Sequence, residues 1–167
     1  MKLIDQRYLD GSNRWCTQPC LLSILDLEQA TEADVERVRT ALKTVLPGLR
    51  QGRSLIGVVG DDADAPSPGL QLARLLQSVA IELHRLTGDD VMVGFVGRVP
   101  KMEHRYRLIL PFRCGTVANA ALSLATDLVA ALIADAPFPF DERLADLRRI
   151  AAAGMPPTPP ATIRIAA

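Results

Sequence analysis

Between Leu70 and Gly88, apolar residues recur at Leu72, Leu76, Val79, Leu83 and Leu86, the three-and-four alternation of one buried helix face. Leu75, Ala80 and Ile81 widen that face; Ser67 or the Pro68-Gly69 pair is placed to start the helix, and Gly88 to stop it. Arg74, Ser78, Glu82 and Arg85 follow one another at spacings of four, four and three, so they share a direction, and the stripe reads first as a solvated face. The same period recurs after Thr31, which caps a segment through Asp34 with Val35, Val38, Leu42 and Val45 inward, and after Asp141, with Leu144, Leu147 and Ile150 inward. Ala118 to Ala134 is apolar nearly all round, but Asn119, Ser123, Thr126 and Asp127 interrupt it, so with Thr116 as its cap it reads as a buried helix rather than a membrane span. Helices are thus predicted over 33–45, 70–86, 117–135 and 141–153. Lys2 to Leu9 and Cys20 to Leu27 read as strands, and Val91–Arg98 and Tyr106–Phe112 as antiparallel neighbours. Residues 50–60 read as loop or short extended chain, and Asp61 to Gly69 as an acidic loop.

The order β-β-α-α-β-β-α-α does not alternate strand with helix, which argues against a doubly wound parallel sheet. The expectation is α+β: a two-layer sandwich, mostly antiparallel sheet, with helices packed on one face. Residues 1–153 form one domain on this reading, and the Pro-rich 154–167 a linker or tail.

Composition narrows the function classes. Nineteen basic residues balance nineteen acidic ones and aromatics make up 4%, which leaves neither the basic patch nor the stacking surface of a nucleic-acid partner. The same balance gives no pull toward an anionic membrane, and MKLIDQRYLDG holds no apolar signal segment. Cys16, Cys20 and Cys114 are odd in number; with only His84 and His104 to help, and neither in ligand spacing, they read as thiols in a reducing cytoplasm rather than a metal site. No Gly-rich phosphate loop and no G-x-S-x-G elbow is present. Cys16 with His84, or Cys114 with His104, would make a catalytic dyad only if the fold happened to bring them together, and Asp61-Asp62 and Asp89-Asp90 sit in turns where solvation explains them. No catalytic residue, metal or cofactor is assigned on these grounds.

Local stretches in a particular order add a resemblance. Arg7-Tyr-Leu-Asp-Gly11-Ser-Asn13-Arg-Trp15 looks like an R-x-L-x-G-P-N opening with Ser12 in place of proline; Leu46-Pro47-Gly48-Leu49 closes the first helix; Val79-Ala80-Ile81-Glu82-Leu83 lies in the central one; Val93-Gly94-Phe95 and Gly97-Arg98 follow; Phe140-Asp141 and Asp146-Leu147 mark the last helix. In this the chain resembles the N-terminal domain of cyanophycin synthetases, which polymerise aspartate and arginine with ATP. Many such domains carry H-x-x-E-H on the central helix, two histidines holding a metal and a glutamate acting as base. The matching positions here are Arg74, Gln77 and Ser78. Arginine cannot ligate a metal, glutamine cannot act as a base and serine is a poor zinc ligand, so primer-generating hydrolysis by a degenerate metallopeptidase is the weakest alternative.

The resemblance implies a non-catalytic binding or scaffold domain of an ATP-dependent amino-acid ligase, holding an Asp–Arg polymer or substrate, cytoplasmic, and not an enzyme by itself. A polymer with both charge signs needs both signs on its holder; the candidates are Asn13, Arg14, Trp15, Arg50, Arg53, Arg74, Ser78, Glu82 and Arg98. Each also has a plain structural reading: Asn13 as turn-former, Trp15 as core or interface anchor, Glu82 as partner of Arg85 or Arg74. The implied partners are the polymer, the ATP-grasp and Mur-ligase-like domains that would follow near Ala167 in a full synthetase, and a second copy, since Trp15, Ile163 and Ile165 lack an obvious core. The alternative is a purely structural oligomerisation or docking module.

Overall fold

A computed structural model of the chain describes residues 1–27, 29–50, 58–60, 67–89, 91 and 93–154, with backbone alone at Arg50 and 58–60. The elements are β1 (Lys2–Leu9), β2 (Cys20–Asp26), α1 (Glu32–Val45), α2 (Pro47–Arg50), β3 (Val58–Gly60), α3 (Pro68–Leu86), β4 (Gly94–Arg98), β5 (Arg105–Pro111), α4 (Gly115–Ile133) and α5 (Phe140–Gly154). The strands form one sheet in the order β1-β2-β5-β4-β3. β1–β2, β2–β5 and β5–β4 pair antiparallel, and β3 pairs parallel with β4. The fold is α+β, as the element order implies.

Alternation sorts the sheet residues. Leu21 and Leu25 of β2, Val96 of β4 and Tyr106, Leu108 and Leu110 of β5 point into one hydrophobic core with the helices. Cys20, Leu22 and Ile24 of β2, Phe95 and Gly97 of β4, and Arg107 and Ile109 of β5 take the opposite face by register. Among the described residues that face carries no helix.

α3 lies at the centre, packed on β4 and β5 and against α4, and its buried set runs from Gly69 to His84. Ser67 caps it, its Oγ accepting from the Leu70 N–H, and Gly88 leaves it with a φ of 86° that favours glycine. Thr31 makes a full capping box with Asp34 on α1, whose hydroxyl donor holds that carboxyl below its ordinary value. α4, the one described helix long and apolar enough to cross a membrane, lies between α3 and α5 with Val117, Ala121, Leu124 and Leu128 buried.

Two local readings change. Thr116 does not cap α4; the helix opens two residues earlier than 117, at Gly115, and Cys114 at the cap position makes no side-chain capping bond. The fit there is tight, since a Cβ would meet the Tyr8 ring at 3.0 Å. The stretch 50–60, read as loop or short extended chain, contains the three-residue β3, whose parallel pairing with β4 makes the sheet mixed at that edge. The four-residue α2 also goes unread between α1 and β3. The acidic stretch 61–66, the tail from 155 onward and with it Ile163 and Ile165 lie outside the described residues.

Candidate functional site

The polar stripe of α3 is not a solvated face. Ser78 is fully buried and its Oγ donates to the Arg74 carbonyl at 2.9 Å, a bond inside the helix. Glu82 is 8% exposed and accepts from Arg85 at 3.3 Å. A Cβ on Gly48 would lie 2.0 Å from Glu82 Oε1, so α2 covers this side of α3 and glycine makes the room. A carboxylate so enclosed needs a cationic neighbour, which Arg85 supplies. Gln77 is fully buried on the sheet side, and its Nε2 donates to the Ile109 carbonyl of β5 at 3.0 Å. It reaches that strand over Gly94, where any Cβ would stand 2.0 Å from the amide nitrogen. Arg74, Gln77 and Ser78, the three positions of H-x-x-E-H, differ from that set in kind: the Gln77 Nε2 and the Ser78 hydroxyl donate to backbone carbonyls, and arginine carries the wrong charge for a metal ligand.

At the other end of α3, His84 and Asp89 are both buried, Nδ1 lying 3.2 Å from Asp89 Oδ2. Arg113 approaches Asp89 Oδ1 at 3.9 Å. Desolvation lowers the histidine's pKa, against the opposing pull of the Asp89 charge and hydrogen bond. All three cysteines are free thiols; burial raises the Cys20 pKa against the lowering effect of its bond to Asn13.

The strongest surface feature lies on the helix-free face of the sheet. Asn13 organises the loop between β1 and β2: its Oδ1 accepts from the N–H groups of Trp15 and Cys16 at 3.0 and 3.1 Å, and its Nδ2 donates to the Gly11 carbonyl. The turn-forming role is thus the one its contacts display. The turn folds Trp15 back over the sheet, 6.2 Å from the Phe95 ring. Arg107 lies 3.9 Å from the centre of the indole and 5.9 Å from that of Phe95, and Arg14 lies 4.7 Å from the indole. Gly97, opposite Arg107 in the register, is where the Phe95 ring bends across: a Cβ there would meet it at 2.9 Å. Two guanidinium groups thus share one partly buried ring, and the Arg14 side chain is exposed.

The candidates therefore divide. Asn13, Arg14 and Trp15 come together; Arg74, Ser78 and Glu82 lie along α3 on the helix side. Arg98, exposed at the end of β4, lines a groove of about 670 Å³ with Ser67, Lys101, His104 and Tyr106. The Arg50 side chain and Arg53 lie outside the described residues. Arg107 and Phe95 are the residues a linear reading misses. Their only sequence signal is the alternation of Arg105 and Arg107 with Tyr106 and Leu108, which says nothing of Trp15.

Set against known proteins, the chain finds no match among curated proteins. A family model, the cyanophycin synthase-like N-terminal domain, matches residues 21–134. That span runs from β2 to the C-terminal end of α4 and takes in the Gly48–Glu82 and Gly94–Gln77 contacts. With more than half its length matched across the sheet and the central helix, the chain belongs to the cyanophycin synthase-like N-terminal domain family.

Proposed function

We propose that this domain is a non-catalytic holder of an Asp–Arg polymer or a related peptide, serving a cyanophycin-synthetase-like ligase whose ATP chemistry resides in ATP-grasp and Mur-ligase-like domains. The observation that carries the reading is the Arg14–Trp15–Arg107–Phe95 cluster on the helix-free face of the sheet. Stacking occupies the face of the exposed Arg14 guanidinium, whose edge N–H groups can grip a carboxylate in two places. Polymer guanidinium groups, in turn, find an indole and a phenyl ring to lie on. Such contacts are exposed and screened, so affinity accumulates from repeated weak contacts along the polymer. Hydrolysis by the H-x-x-E-H route is disfavoured because Arg74, Gln77 and Ser78 stand where its metal ligands and base would be, and the Gln77 Nε2 and Ser78 hydroxyl donate to backbone carbonyls.

Trp15 is the only tryptophan of the chain, so its fluorescence reports on the cluster directly. Short Asp–Arg segments titrated at low salt should change that fluorescence saturably. The effect should weaken as salt rises, and more so in Arg14→Ala. Arg74→Ala reports whether the helix side contributes. A folded domain that shows neither a fluorescence change nor retention of polymer in a pulldown at low salt would sink the reading.

A further inference from the structure

β1 is the open edge of the sheet. It pairs with β2 on one side and with nothing on the other among the described residues. It is eight residues long and carries exposed Leu3, Ile4 and Tyr8, at 37%, 40% and 50%. Proteins usually protect a long apolar edge with charge, a bulge or a cover, because its unpaired backbone groups recruit another strand. β1 has a bulge between Leu3 and Asp5, a lysine at its first position, and beyond the bulge two charges, Asp5 and Arg7, which pair with each other at 2.9 Å. The Gln6 N–H between them donates to Asp5 Oδ1 rather than standing bare. A strand arriving at this edge would replace that local bond.

We propose that β1 pairs antiparallel with β1 of a second copy of this chain, with Gln6 on the two-fold axis. Symmetry and charge choose that register. A two-fold axis that joins two sheet edges antiparallel stands perpendicular to the sheet, so facing residues must share a face and their numbers must sum to an even value. A sum of 10 sets Asp5 against Asp5, and a sum of 14 sets Arg7 against Arg7. A sum of 12 sets Gln6 against Gln6 and Asp5 against Arg7 twice over, all within the regular stretch beyond the bulge. Of these three registers only the last turns both charges into cross-strand pairs. The 2.9 Å pair within one strand confirms that Asp5 and Arg7 share a face, as the register requires. Two five-stranded sheets become one ten-stranded sheet, with both helical layers on the same side. The Trp15 cluster lies over β4 and β5, away from this edge, so it stays open.

The test uses the full chain and sedimentation velocity over a range of concentrations. The wild type should sediment as a dimer that dissociates on dilution. Asp5→Arg and Arg7→Asp alone should each weaken association by at least about ten-fold, because two pairs per dimer turn from attraction to repulsion. Mixed together, the two variants should regain a heterodimer, since each copy then carries a single charge sign at both positions. That recovery excludes misfolding as the cause of the single losses. A wild type that stays monomeric at high concentration, single variants that dimerise as well as the wild type, or a mixture that does not recover would each overturn the proposal. Polymer binding by a monomeric Asp5→Arg variant separates failure here from failure of the holder role.

Discussion

Placing a glutamate at position 77 offers a sharp test of how α3 is built into the sheet. In Gln77→Glu, a carboxylate would replace an amide that is fully buried and donates to the Ile109 carbonyl at 3.0 Å. An ionised glutamate there would face an oxygen acceptor with no donor supplied, so the folded state should keep it protonated, with its O–H taking over the bond. Buried glutamates reach pKa values of about 8–9. The unfolded chain releases the proton above about pH 4.3, so between that value and the folded pKa the native state binds more protons and stability falls as pH rises. At about 1.36 kcal/mol per unit, the loss from pH 4.3 to 7 is about 3.7 kcal/mol. Urea unfolding of both proteins from about pH 4 to 8 should therefore show a small difference in acid that widens steadily toward neutrality. Gln77→Leu is the control: it leaves the Ile109 carbonyl without its donor and should cost about 1–3 kcal/mol at every pH. A Gln77→Glu deficit that does not change with pH, or that stays under about 1 kcal/mol at pH 7, would refute the buried contact.

Gly94→Ala should destabilise by about 1–3 kcal/mol in the same assay, and adding Gln77→Ala should remove part of that loss, since the clash is between these two side chains. Thr31→Ala should cost about 1 kcal/mol by removing the capping box of α1, seen as a lower urea midpoint with an unchanged slope. The depressed pKa of His84 means the unfolded chain binds its proton first, so its contribution is whole above about pH 6.5 and falls away in more acid solution. Replacing it with glutamine should flatten that part of the stability profile, and an unchanged acid limb would contradict the assignment.

The helices and the main strands were legible because each buries a face whose period survives in the linear chain. Val35, Val38 and Leu42 on α1 and Leu72, Leu76, Val79 and Leu83 on α3 are buried as their spacing implies. Family membership was legible from local strings that include Gly48 and Gly94, at both of which a Cβ would lie 2.0 Å from a side-chain atom of α3. What those glycines face was not legible. The α3 stripe has the composition of a wet surface, and only the folding of α2 across it shows Glu82 to be enclosed and Ser78 turned inward. Short extended chain was legible over 50–60, but the parallel pairing of β3 with β4 was not, because it joins segments on either side of α3. The Trp15 cluster joins a turn at residues 13–15 to strands some eighty and ninety positions away. Short-range hydrophobic period and cap chemistry were enough to set the elements, because those forces act between neighbours in sequence. Which polar groups meet, and which face of the sheet stays free of helices, follows from strand order and register, which arise only when distant segments pair.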